Sequence, residues 1–251
     1  LRRTDVFYHW VLEHLDWQSF DLIGFTLNYG QLLPSLAIAK HIKQQAPEKK
    51  IVFGGSRIAG EMGRGVLRAF DYVDYVVSGD GEDALVRLAS DPENFASIPG
   101  LIYRDGGEVR WNTTGSAIDL ATAPIPSYSP FFDELRSCSD ELQQFFQYYG
   151  RLPVEISRGC WWNRCTFCNL NIQHPCYREK PIDHIAQEIQ LLSDRYHILD
   201  FQLIGNTLPR TQYRELFEAL KHLARDYSFF VEARAGQLTS DDYRLMKEAG
   251  F

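Results

Sequence analysis

The sequence predicts an α/β protein: a doubly wound parallel-sheet domain followed by a second series of βα units. Short apolar runs bounded by glycine or proline alternate with segments whose apolar residues recur every three to four positions, the pattern of strands alternating with amphipathic helices. The alternation breaks off near Ser97 and resumes near Pro153. With 251 residues, 45% apolar and 24% charged, the chain is long enough for two domains and too apolar for disorder.

In order, residues 20–27 read as a buried strand. A helix follows from Leu32, with Pro34 in its first turn, one face of Leu36, Ala39, Ile42 and Ala46, and Pro47 as its stop. Residues 50–53 form the next strand, broken by Gly54-Gly55, and residues 61–70 the next helix. A third strand over 73–77 ends at Gly79-Asp80-Gly81-Glu82, and a helix begins near Asp83. Such βαβ units imply a parallel sheet with right-handed crossovers, whose ligands sit beyond the C-terminal strand ends. Thr26, Leu27, Gly54, Gly55, Gly79 and Gly81 all fall there; the plain alternative is that these are ordinary tight βα turns.

Residues 100–111 read as a hairpin around Asp105-Gly106-Gly107. Pro124, Pro126 and Pro130 mark an extended connector, and residues 133–149 a polar-aromatic helix. The second series begins with a strand over 154–157. The helix from Pro181 carries Ile182, Ile185, Ile189, Leu192 and Tyr196 at helical spacing. A strand over 201–204 ends at Gly205-Asn206, and Tyr213, Leu216, Leu220 and Leu223 line the next helix. Residues 229–234 form a third strand, and Thr239 with Asp242 make a capping-box pattern before the last helix. The expected organisation is 1–96, a linker over 97–152, and 153–251. The chain lacks an initiator Met and stops where a fourth strand is due, so it reads as a section of a longer product, cut at both ends.

A net charge of −7 argues against nucleic acid as a partner. No run approaches the roughly eighteen apolar residues of a membrane span, and no signal core follows the N-terminus. Five cysteines, an odd number in a chain of this size, make a poor disulfide framework. The expectation is a cytoplasmic, reducing setting with no membrane partner.

Three of those cysteines, Cys160, Cys165 and Cys168, share the loop leaving the first strand of the second series. Three thiolates on a short loop can hold three corners of an iron–sulfur cube and leave the fourth iron open. A zinc site completed by Cys176 or His174 is the alternative, although zinc sites favour two close ligand pairs and only Cys165 and Cys168 form one. Three buried free thiols fit so polar a loop least well. Cys176 and His174 read as structural or solvent-facing, and Cys138 is assigned nothing.

The loop Gly159-Cys160, the closely following Cys165, and Phe167 just before Cys168 resemble the cluster loop of radical S-adenosylmethionine (SAM) enzymes. The segments 24–27, 52–55 and 73–82 resemble the cobalamin-binding domain that often precedes that barrel, and the linker segments 98–104 and 123–126 also resemble this class. Within the class, 157–162, 165–171 and 177–180 resemble the branch that modifies ribosomally made peptides (RiPP maturation). Four residues separate Cys160 from Cys165, a spacing that differs from both the superfamily's usual one and that of the branch. No Asp-x-His-x-x-Gly segment, the supplier of a histidine ligand to cobalt, is present.

The resemblance implies a Rossmann-like cobalamin-binding domain followed by the first half of a radical SAM (β/α) barrel. It implies three cofactors: a [4Fe–4S] cluster on Cys160, Cys165 and Cys168, SAM on its open iron, and cobalamin cradled by Thr26, Leu27, Gly54, Gly55, Gly79 and Gly81. Phe167, Asn206, Glu232 and Arg234 become SAM contacts. Their plain alternatives are core packing for Phe167, a helix cap for Asn206 and a structural ion pair for Glu232 with Arg234. The implied reaction is radical C-methylation of an unactivated carbon in a peptide or small natural product. A flavodoxin or ferredoxin is the expected electron donor. Rearrangement or cyclisation without net methyl transfer, and a zinc-stabilised domain without catalysis, are the alternatives.

Overall fold

The computed structural model describes residues 2–113, 117–168, 172, 174, 176–223 and 225–251. They divide into two compact units, Leu1–Ala117 with Ile172–His174, and Ile118–Asn171 with Pro175–Phe251.

The first unit is built on a five-stranded sheet in the order β1 (Leu22–Thr26), β2 (Lys50–Gly54), β3 (Tyr75–Val77), β4 (Leu101–Asp105), β5 (Glu108–Trp111). The first three strands are parallel, with Gly24 opposite Val52 and Val52 opposite Tyr75; the last two are antiparallel. Alternation along the strands feeds two apolar layers. Ile51, Phe53 and Val76 pack under α2 (Leu32–Gln45) and α3 (Glu61–Ala69). Val52, Tyr75 and Val77 pack under α4 (Glu82–Ser90). Helices thus cover both faces, as a Rossmann-like sheet requires.

Arg104 on β4 donates to the carbonyls of Leu67, Phe70 and Val73, supplying partners where the end of α3 runs out of its own. The hairpin expected in the linker is therefore part of this sheet, because β4 pairs with β3. The helix α1 (Arg2–His14) was not expected from the sequence.

The second unit holds three parallel strands side by side in chain order: β6 (Leu152–Glu155), β9 (Asp200–Ile204) and β10 (Ser228–Val231). Between β6 and β9 in sequence lies a small antiparallel ladder of β7 (Ser157–Arg158) with β8 (Arg178–Glu179). Leu152, Val154, Phe201, Leu203 and Phe229 pack against α7 (Ile182–Tyr196), α8 (Tyr213–Lys221) and α9 (Ser240–Glu248). The alternate residues Pro153, Glu155, Gln202 and Phe230 are part-exposed or exposed. Helices on one face and strands in sequential order are the winding of a barrel, here present as three strands.

The helix expected over 133–149 is two, α5 (Ser129–Ser137) and α6 (Asp140–Tyr149), because the Ser139 side chain accepts from the Leu142 N–H and starts a new helix. The strand expected to reach residue 234 stops at Val231. Among the described residues no helix is long and apolar enough to cross a membrane.

Candidate functional site

Two places gather the residues that the sequence singles out, one in each unit. In the first, β1, β2 and β3 end at Thr26, Gly54 and Val77. Around these ends lies a cavity of about 290 Å³, lined by Thr26, Gly54, Gly55, Gly79 and Gly81, with Gly24, Val77 and Leu85 among its other walls. Five of the six residues expected to cradle a ligand therefore share one cavity. The sixth, Leu27, is fully buried in the core behind it. Its N–H donates to the Gly54 carbonyl at 2.7 Å and its carbonyl accepts from the Arg57 N–H at 3.1 Å. Gly55 has φ +99°, and a Cβ there would stand 2.6 Å from the Leu27 carbonyl oxygen, so the turn beside the cavity admits only glycine without strain.

In the second unit, the cysteine loop is fastened at its base. The Ile156 N–H donates to Ile204 at 2.8 Å, the Lys180 N–H donates to Ile156 at 2.9 Å, and β7 pairs with β8 between them. Asn206, just beyond β9, donates its amide to the Gly159 carbonyl at 2.9 Å. Asn206 is thus a tie on the loop rather than a helix cap. The Trp161 indole N–H donates to the Leu208 carbonyl at 2.9 Å. At Gly205 a Cβ would meet Ser157 Oγ at 2.5 Å, so the strand end and the loop base touch through a missing side chain. Tyr177 donates to Glu179 Oε1 at 2.7 Å; burial first, then the Glu179 carboxylate, hold its phenol well above the usual range.

On this base Cys160 is half-buried, while Cys165 and Cys168 are exposed. The Cys168 N–H donates to the Cys165 carbonyl at 3.2 Å, a tight turn between the last two thiols. Among the described residues no three His, Cys, Asp or Glu side chains converge as a metal-holding group. Phe167 is 89% exposed, which removes the reading of it as core. Glu232 is exposed, past the end of β10, and forms no ion pair with Arg234. The Arg234 guanidinium instead lies 4.1 Å from the centre of the Trp162 ring and 5.6 Å from that of Trp161. Its Nε is buried with no hydrogen-bond partner among the described residues. His174 pairs with Asp80 at 3.2 Å within the first unit, Cys176 is exposed, and the Cys138 thiol donates to the Glu134 carbonyl at 3.4 Å.

No family model matches the chain. Among curated proteins it is 25% identical over 231 residues to the anaerobic magnesium-protoporphyrin IX monomethyl ester cyclase of Cereibacter sphaeroides, covering 84% of this chain and 36% of that protein. It is 23% identical over 222 residues to the 4'-phospho-dehydrooxetanocin synthase of Priestia megaterium, covering 82% and 28%. The chain therefore spans about a third of the length of these relatives. Among solved structures, the cobalamin-dependent SAM radical enzyme OxsB, with aqua-cobalamin and SAM bound, superposes with a TM-score of 0.73 at 20% identity over 97% of this chain and 36% of that one. The chain has the fold of the cobalamin-dependent radical SAM enzymes. A second structure of this kind, the radical SAM methyltransferase TsrM of Kitasatospora setae with cobalamin and a [4Fe–4S] cluster, gives a TM-score of 0.69 at 18% identity over 99% of this chain and 50% of that one.

In this radical SAM fold two features escaped the sequence reading. Lys180 and Glu188 form an ion pair at 2.6 Å with both side chains nearly out of solvent. A Glu set among Ile185, Ile189 and Leu192 on the inward face of α7 was a legible sign that a buried cation would meet it. The second is the arginine-and-tryptophan group around Trp161 and Trp162. It draws on three separate loops, so no local spacing could reveal it.

Proposed function

We propose that this chain is the cofactor-binding part of a radical SAM enzyme that uses a [4Fe–4S] cluster, SAM and cobalamin. Its expected reaction is C-methylation of an unactivated carbon in a peptide or small natural product. The observation that carries the reading is the donor set on the loop between β7 and β8. The half-buried Cys160 and the exposed Cys165 and Cys168 share a polar segment whose base is tied to two barrel strands, with the exposed Cys176 at its far end. Packing gives no account of thiols so placed, and three thiolates within nine residues suit a cluster with one open iron.

Cys160, Cys165 and Cys168 would hold the cluster. Arg234, whose buried Nε lacks a partner among the described residues, suits the SAM carboxylate, since an oxyanion bound to the fork would satisfy it. Phe167 and Glu232 are proposed beside it as contacts from the exposed rim. Asn206 fits that set through the loop it steadies.

The glycine-lined cavity is at the small end of ligand pockets, which run from about 300 to 1,000 Å³. It suits one arm of a corrinoid rather than the whole. Thr26, Gly54, Gly55, Gly79 and Gly81 would line that arm, with Leu27 as the wall behind it. Together the cluster, SAM and cobalamin would supply radical hydrogen abstraction and a transferable methyl group. A flavodoxin or ferredoxin would serve as one-electron donor.

Two observations weigh on the alternatives. The zinc alternative keeps its candidate fourth ligands, since Asp80 lies against only one ring nitrogen of His174 and Cys176 is exposed. The name of one curated relative, a cyclase, favours cyclisation as the second reading.

The deciding experiment is anaerobic reconstitution of the chain with iron and sulfide, followed by metal analysis and electron paramagnetic resonance with and without SAM. About four irons per chain and a reduced signal that SAM perturbs support the proposal. Stoichiometric zinc with no iron retained overturns it. Given a substrate, methyl-labelled SAM separates the two readings by whether label enters the product.

A further inference from the structure

Trp161 and Trp162 meet edge to face, with ring centres 6.0 Å apart. Three guanidinium groups surround them: Arg234 as described, Arg164 at 5.1 Å from the Trp162 ring, and Arg210 at 6.0 Å from the Trp161 ring. Several arginines elsewhere on this acidic protein pair with carboxylates, as Arg87 does with Asp83, Arg110 with Asp105, Arg225 with Asp194 and Arg244 with Asp241. Among the described residues none of these three does. A guanidinium held against an indole keeps its hydrogen-bonding groups free for another partner. Three unneutralised cations held together on a protein of net charge −7 call for an anion that is not part of the chain.

We infer that Arg164 and Arg210, flanking the SAM-binding Arg234 on the tryptophan pair, bind an oxyanion of the substrate, a phosphate or a carboxylate. The inference rests on the proposed function, because one carboxylate of SAM occupies one fork and leaves two. It narrows the substrate class: a substrate that bears an anionic group within reach of the loop carrying Cys160, Cys165 and Cys168. The tryptophans hold the two guanidinium groups near each other, and the anion sets the register of the reacting carbon.

The test uses the reconstituted chain at constant ionic strength, with inorganic phosphate and acetate as probes and intrinsic tryptophan fluorescence as the readout. SAM binding is followed in parallel by calorimetry. Saturable quenching by phosphate or acetate, weakened about tenfold or more in R164Q/R210Q while SAM affinity stays within about twofold of wild type, supports the inference. Which probe binds tighter tells phosphate from carboxylate. Absence of saturable binding overturns it, as does equal binding by the double variant, or SAM affinity lost along with the anion. If the double variant fails to fold, R164Q and R210Q are read singly; both side chains are exposed and neither is in the core. Loss of iron with anion binding intact sinks the cluster reading instead, so the two failures are distinguishable.

Discussion

Lys180 ties the end of the cysteine loop to the barrel twice. Its N–H donates to Ile156, and its ammonium meets Glu188 at 2.6 Å out of solvent. Removing one charge of such a pair strands the other, so Lys180→Met should cost about 3–5 kcal/mol in urea unfolding, whereas K180M/E188L should recover most of that loss. Asp242 makes a different use of charge. It accepts from the Thr239 N–H at 2.8 Å and hydroxyl at 2.7 Å, and it pairs with Arg214. The backbone bond first, then the hydroxyl and Arg214, lower its pKa to about 2. The folded value lies below the unfolded one of about 3.9. The stabilisation is therefore present above about pH 4 and is lost as pH falls toward 2. The gap in unfolding midpoint between wild type and Asp242→Asn should close over that window. Of these two charges the sequence reading took up only the second: a capping box is a local four-residue pattern, whereas Glu188 shows only as an acid on an apolar face, with no sign of which cation meets it.

At the scale of elements, the strands and helices that alternate with clear periodicity were readable: β2, α2, α7 and α8 sit within a few residues of their expected places. Three readings fell short where tertiary context decides. β10 stops at Val231, so Glu232 and Arg234 leave the strand alternation that seemed to align them. Ser139 splits one expected helix into two, since a single hydroxyl at its N-cap outweighs the continuity of the aromatic pattern. α1 went unseen: its exposed Val6, Phe7 and Trp10 give no apolar stripe facing a core. The two close glycine contacts yield a matched pair of tests. Gly55→Ala should weaken cobalamin affinity, read from the corrinoid spectrum, because its φ of +99° and the Leu27 carbonyl leave no room for a methyl group. Gly205→Ala, which drives a methyl group into Ser157 Oγ, should lower iron retention after reconstitution and leave cobalamin affinity unchanged.

Over the whole molecule, each unit keeps its candidate site at the C-terminal ends of parallel strands, where side chains and loops converge without disturbing the core beneath. Hydrogen exchange should register this. Cobalamin added alone should slow exchange at the ends of β1, β2 and β3, and iron–sulfur reconstitution should slow it around Cys160, Cys165 and Cys168. Slowing spread evenly over either unit would contradict local binding. The ladder of β7 with β8 carries one more consequence. By pinching the chain at Arg158 and Arg178, it makes the stretch between them a cassette whose ends stay put whatever its contents. Lengthening such a closed segment costs only the logarithm of its size. The four-residue gap between Cys160 and Cys165 can therefore drift from one lineage to the next while strand register and α7 stay unchanged, leaving evolution free to retune the cysteines without rebuilding the barrel.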